Sequence, residues 1–244
     1  MNKLLYIFIC VCFISCPLEN ITNEEPITPH EPTPDNRTQE EINAAVLEVL
    51  KKYAPHVVNM DREIEQVIEL MNTLCNATKR NKDPRIGLVF KTPDKLLSLN
   101  FTDDDFGTDC GGLSLMLFDS LTALGYDTRL VQFFMEISEH SPYENHCANE
   151  VKIGEKIYAL DPSFNVIFKD DKGNMLSYKE VGDQIHSDVG LIFEYVGDVV
   201  LRIEDYYIPY EQYFTYIVRA VPFGYRHQHL LDVTVYGAEL YYWN

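Results

Sequence analysis

Cys110 sits at a junction. A polar, turn-rich stretch, NFTDDDFGTD over 100–109, precedes it. A helical run opens at Gly111-Gly112, repeats Leu113, Leu117, Leu121 and Leu124, and stops at Gly125. A cysteine reacts as its thiolate, and a helix N-terminus favours negative charge through its dipole and unpaired N–H groups. The backbone N–H of Cys110 can also donate to an oxyanion, and Gly111 and Gly112 leave room for a substrate to approach. Such a nucleophile needs a base and a group that orients the base. His146 and Asp161 are the candidates.

Their placement follows from strand arithmetic. Residues 147–153 and 156–160 read as strands joined by the turn Gly154-Glu155. If Ile153 pairs with Lys156, Ala148 falls opposite Asp161 and His146 opposite Ser163. His146 and Asp161 then share one face as diagonal neighbours about 7–8 Å apart, within reach of a His–Asp hydrogen bond. A loop of odd length puts them on opposite faces. Cys147, next to His146, is expected to face away and to be structural. The run Asp103-Asp104-Asp105 opposes a thiolate if it lies near the sulfur, and is read as a solvated loop held away from it.

The elements that must carry these residues are legible to different degrees. Thr38-Gln39-Glu40-Glu41 fits a capping box. Ile42, Ala45, Val46, Val49, Leu50 and Tyr53 follow at helical spacing until Pro55. A second helix is predicted from about Asp61, with Cys75 as a small core residue on its apolar face. Thr92-Pro93-Asp94 caps a short helix through Leu99. Residues 128–134 read as a strand. Beyond Phe168 the pattern blurs; 191–196, 199–203, 214–221 and 230–243 look strand-like and rich in tyrosine. Helices first and strands afterwards predict an α+β fold.

Three blocks together resemble a transglutaminase-like domain. Asp109-Cys110-Gly111-Gly112, with the helix ending Ala123-Leu124-Gly125-Tyr126 before Thr128-Arg129, is similar to the family's nucleophile segment. His146-Cys147-Ala148-Asn149-Glu150-Val151 resembles its His-x-Trp-x-Glu-Val block. Tyr158-Ala159-Leu160-Asp161-Pro162-Ser163 resembles its Asp-Pro-Thr/Ser block. The resemblance spans roughly residues 60–168. It implies a papain-like core with a central Cys-bearing helix against an antiparallel sheet, and Cys110, His146 and Asp161 as catalytic triad. Asp109, Gly111, Gly112 and Ala148 would line the substrate. Ala148 replaces the family's frequent Trp, which would open one wall of the cleft. A thioester on Cys110 resolved by water gives peptide or amide hydrolysis; resolved by an amine, it gives transamidation.

The rest of the chain bears on location and partners. Met1-Asn2-Lys3 and the apolar run 4–15 have the form of a signal peptide. The run ends at Ser15-Cys16, which resembles a bacterial lipobox despite Phe13 in place of Leu. Cys16 would then be lipidated and hold the protein on the extracytoplasmic membrane surface; ordinary secretion is the alternative. Residues 16–37, rich in Pro, Glu, Asn and Thr, read as a disordered tether. The domain then occupies 38–168, and 169–244 is either a β-rich extension of it or a small cap.

Of six cysteines, Cys10 and Cys12 leave with the leader and Cys16 takes lipid, so Cys75, Cys110 and Cys147 remain, an odd number that leaves at least one free thiol. With 20 Lys and Arg against 38 Asp and Glu the net charge is −18, which disfavours nucleic acid. A peptide or protein substrate, a monomeric state and no cofactor or metal are expected. Zinc on Cys110, Cys147, His140 and His146 lacks a paired C-x-x-C spacing. The competing function is an inactive member of the family that binds peptide or glycan through its acidic surface and the C-terminal tyrosines Tyr206, Tyr207, Tyr210, Tyr213, Tyr216, Tyr241 and Tyr242. Asn20, Asn36, Asn76 and Asn100 head Asn-x-Ser/Thr sites that matter only in a eukaryotic secretory pathway.

Overall fold

A computed structural model describes residues 35–78, 92–103, 106–135, 144–187, 189–197, 203, 210–214, 217–221, 223–224 and 239–241. The leader, Cys16, most of the tether, Asp104, Asp105, His140, Tyr206, Tyr207, Tyr216 and Tyr242 lie outside these residues, as does most of 199–203 and 230–243. Residues 34–244 make up one unit.

The N-terminal part is helical. α1 (Gln39–Tyr53) begins with the predicted capping box: Thr38 Oγ1 accepts from the Glu41 N–H, and the Glu41 carboxylate accepts from the Thr38 N–H at 2.8 Å. Pro55 ends it and starts a single turn, α2 (Pro55–Val58), because proline needs no N–H partner at a first helical position. α3 (Glu63–Ala77) buries Val67, Leu70, Met71, Leu74 and Cys75. α4 (Pro93–Thr102) runs three residues past the predicted end and takes up the start of the expected loop. Asn100 is the reason. It is buried, accepts from Thr78 Oγ1 at 2.7 Å and donates to the Leu74 carbonyl at 3.1 Å, so tertiary partners satisfy a residue whose type suggested a turn. A buried amide so engaged is no glycan acceptor. α5 (Cys110–Ala123) is buried along nearly its whole length. Tyr126 N–H returns to the Leu121 carbonyl and Gly125 takes φ +91°, a conformation glycine adopts without strain.

Seven strands form one antiparallel sheet among the described residues, in the order β5-β4-β3-β2-β1-β6-β7. They are β1 (Asp127–Met135), β2 (Glu144–Ile153), β3 (Lys156–Asp161), β4 (Val166–Lys169), β5 (Ile192–Tyr195), β6 (Ile217–Ala220) and β7 (Glu239–Tyr241). The C-terminal strands therefore pair into the same sheet, β5 on β4 and β6 on β1. Two elements stand between the expected strands. β4 is only four residues long, and α6 (Tyr178–Ser187) interrupts the order of helices before strands. The fold is thus α+β.

One sheet face packs on the helices through Val151, Leu160 and Ile167 against residues such as Leu74 and Leu117. The opposite face, through Val131, Phe133, Ala148 and Ala159, packs on α6 and on a 3-10 turn, Tyr210–Phe214. No helix among the described residues is long and apolar enough to cross a membrane.

Candidate active site

Cys110 is the first residue of α5. Asp109 caps it: the backbone is extended (φ −88°, ψ −174°) and the carboxylate accepts from the Gly112 N–H at 2.9 Å. Helix geometry gives the N–H groups of Cys110 and Gly111 no intrahelical partner. From the sequence, Gly111 and Gly112 are expected to leave room for a substrate. Both are buried. A Cβ on Gly112 would lie 1.8 Å from Thr108 Oγ1, so the missing side chain there admits the preceding loop. Ala148 is likewise fully buried and opens no cleft wall: it lies in the apolar cluster on the sheet face it shares with His146. Of the four expected substrate-lining residues, only Asp109 is exposed.

Two polar contacts lock α5 onto β2. Ser114 Oγ donates to the Cys147 carbonyl at 2.9 Å, and Asn149 Nδ2 donates to the Ser114 carbonyl at 3.0 Å. These fix how far along the strand the helix start sits.

The hairpin has the predicted register. Ile153 pairs with Lys156, Gly154 turns the chain at φ +61°, and the ladder runs to Asn149 opposite Leu160. One residue further along the same register, Asp161 faces Ala148 and becomes the diagonal neighbour of His146. His146 Nε2 lies 2.7 Å from Asp161 Oδ2. The carboxylate can only accept, so Nε2 carries the proton and Nδ1 is left for the Cys110 side. Asp161 takes two more hydrogen bonds, from the Ser163 N–H to Oδ1 and from the Tyr210 hydroxyl to Oδ2, both at 2.9 Å. Cys75 Sγ, in the core as expected, donates to the Pro162 carbonyl at 3.0 Å and ties this turn to α3.

His146 and Asp161 are both buried, whereas Cys110 is partly exposed. The imidazole lies among aromatic rings, with centroids 4.7 Å from Tyr213 and 5.7 Å from both Phe133 and Phe164. Burial by itself lowers the pKa of His146, but the charge and hydrogen bond of Asp161, then Cys110, raise it to about 10. The Cys110 thiol hydrogen-bonds Cys147 and His146; these contacts and the imidazolium charge outweigh burial and hold its pKa at about 5. The pair therefore stands as thiolate and imidazolium at neutral pH. Tyr210 remains a neutral donor, because burial and then the Asp161 charge push its phenol well up.

Cys147 corrects an expectation. Its thiol does not merely fill space on the far face: it donates to Cys110, which raises its own pKa well above the ordinary thiol value. Alternation along β2 does turn His146 and Cys147 to opposite faces. The start of α5 nevertheless meets both, because it lies near the beginning of β2.

Tyr210 and Tyr213, expected only as part of a tyrosine-rich binding face, instead touch Asp161 and His146. No local signal points to them, since they come from a 3-10 turn about fifty residues beyond Asp161. Among the described residues, no group of three or more His, Cys, Asp or Glu side chains is arranged to hold a metal ion. The geometry offers a charged sulfur nucleophile, a protonated base held by a carboxylate, and backbone donors at a helix start. No protein-family model matches the chain, and no curated protein does either.

Proposed function

We propose that this chain is a transglutaminase-like, papain-type cysteine enzyme, anchored in the cell envelope, that acts on peptide or amide bonds through a thioester on Cys110. The observation that carries the reading is the 2.7 Å contact of His146 Nε2 with Asp161, which leaves Nδ1 to the thiol at the start of α5. In the proposed reaction the Cys110 thiolate attacks the amide carbonyl carbon. The developing oxyanion is met by the backbone N–H of Cys110. As the C–N bond breaks, His146 gives its Nδ1 proton to the leaving amine. The neutral imidazole then takes a proton from water or from an incoming amine, which attacks the thioester and frees the sulfur. Asp161 keeps the proton on Nε2 and favours the imidazolium that forms in each half-reaction.

Acylation by a p-nitrophenyl ester tests the reading. The expected result is one burst of nitrophenol per chain, with the acyl group on the peptide containing Cys110 and no burst in His146→Gln. Splitting the turnover between water and an added primary amine then separates hydrolase from transamidase. A chain that takes up no acyl group at Cys110 is instead the inactive binding module.

A further inference from the structure

The mechanism above has no use for a second thiol, yet Cys147 lies on the β2 face that packs against α5, and Ser114, one helical turn beyond Cys110, donates to its carbonyl at 2.9 Å; the two side chains interact. The two differ in exposure. Cys110 is partly exposed at the first residue of α5, whereas Cys147 is 6% exposed within β2. The Ser114–Cys147 and Asn149–Ser114 contacts hold the two backbones together at this point. A thiolate on a partly exposed residue with a shielded thiol beside it is the arrangement in which one sulfur is oxidised and the other resolves it. Cys75, the other described thiol, is committed elsewhere, to the Pro162 carbonyl.

We propose that Cys110 is a site of oxidation by hydroperoxides and that Cys147 converts the oxidised sulfur to a reversible disulfide. The proposal rests on the reading of Cys110 as an accessible, activated thiolate. In the first step the Cys110 sulfur attacks the terminal peroxide oxygen. The O–O bond breaks, the sulfur becomes a sulfenic acid, and the peroxide is reduced to an alcohol, or to water from hydrogen peroxide. In the second step the Cys147 sulfur attacks the sulfenic sulfur; the S–O bond breaks, and hydroxide leaves with the Cys147 proton as water. The pair has lost two electrons to one peroxide. Closing the disulfide requires the two sulfurs to approach to about 2.05 Å. The product spares Cys110 from the irreversible sulfinic and sulfonic acids and blocks the nucleophile until a thiol reductant restores it.

The test uses the purified full-length protein and hydrogen peroxide. Trypsin cuts after Lys95, Arg129 and Lys152, so Cys110 and Cys147 fall in separate peptides, 96–129 and 130–152. The expected product is these two peptides linked, with a mass lower by two hydrogen atoms than their sum, and full return of the Cys110 thiol with dithiothreitol. In Cys147→Ser and Cys147→Ala the same treatment should add oxygen to Cys110 that dithiothreitol does not remove. Oxygen adducts on Cys110 of the wild-type protein without the linked peptides, or a link to Cys75, would overturn the proposal. Iodoacetamide labelling of the untreated protein at acid pH separates the two ideas. Unreactive Cys110 sinks the enzyme reading as well, whereas reactive Cys110 without a disulfide sinks only this one.

Discussion

Replacing His146 with Gln and following alkylation of Cys110 across pH gives the sharpest test of the site. The wild-type thiol ionises at about pH 5. Without the imidazolium it moves toward the free value of about 8.5, stopping short to the extent that the Cys147 hydrogen bond persists. Taking the full shift as the upper bound, at pH 5.5 about three quarters of the wild-type thiol is thiolate against roughly 0.1% in the variant. A more acidic thiol is also a weaker nucleophile; with a Brønsted slope near 0.45, 3.5 pKa units cost about fortyfold in intrinsic rate. Wild type should therefore label about twentyfold faster at pH 5.5 and up to about ninefold slower at pH 8, with the profiles crossing near neutrality. A rate measured only at pH 7 would miss the effect. The assay is iodoacetamide incorporation into peptide 96–129, measured by mass spectrometry at unit pH steps. A wild-type profile with one inflection near pH 8.5, unchanged in His146→Gln, refutes the thiolate–imidazolium pair.

Three further outcomes are expected. Tyr210→Phe keeps the ring but removes the hydrogen bond to Asp161. It should cost about 1.5–3 kcal/mol in chemical denaturation, while the acidic inflection of Cys110 labelling persists, because Asp161 retains its bonds to His146 and the Ser163 N–H. Gly112→Ala should cost about 1–3 kcal/mol through overpacking. Adding Thr108→Ala should recover most of it, since the 1.8 Å contact is with Thr108 Oγ1 and the next atom, Cβ, lies at 3.1 Å. Arg129→Met leaves the buried Glu150 without its cation, bonded through Nε at 2.8 Å. The loss should be about 3–5 kcal/mol, read in a thermal melt as a fall of roughly 6–20 °C.

What the sequence made legible divides along physical lines. The capping box at Thr38, the helix from Cys110 and the hairpin through Gly154-Glu155 are local: caps, periodicity and a two-residue turn act within a few residues, and each reappears in the structure. The hairpin matters most, because its register alone was enough to make His146 and Asp161 neighbours. α6 had a local signal too. Ser177 and Glu180 exchange side-chain bonds with each other's backbone, a capping box hidden by the poor apolar spacing that follows. The sequence could not place Tyr210 and Tyr213. A tyrosine in a short 3-10 turn reaches Asp161 and His146 only because β1 accepts β6 on its free edge, which brings the preceding turn over the sheet face that carries His146. The same limit explains the misreading of Ala148 and the two glycines. A small residue beside a nucleophile leaves space, but only the packed partner, Thr108 for Gly112 and the apolar cluster for Ala148, decides whether that space is open to substrate or already filled. Spacing along the chain therefore identifies which groups can react, and packing decides how they are held, shielded and approached.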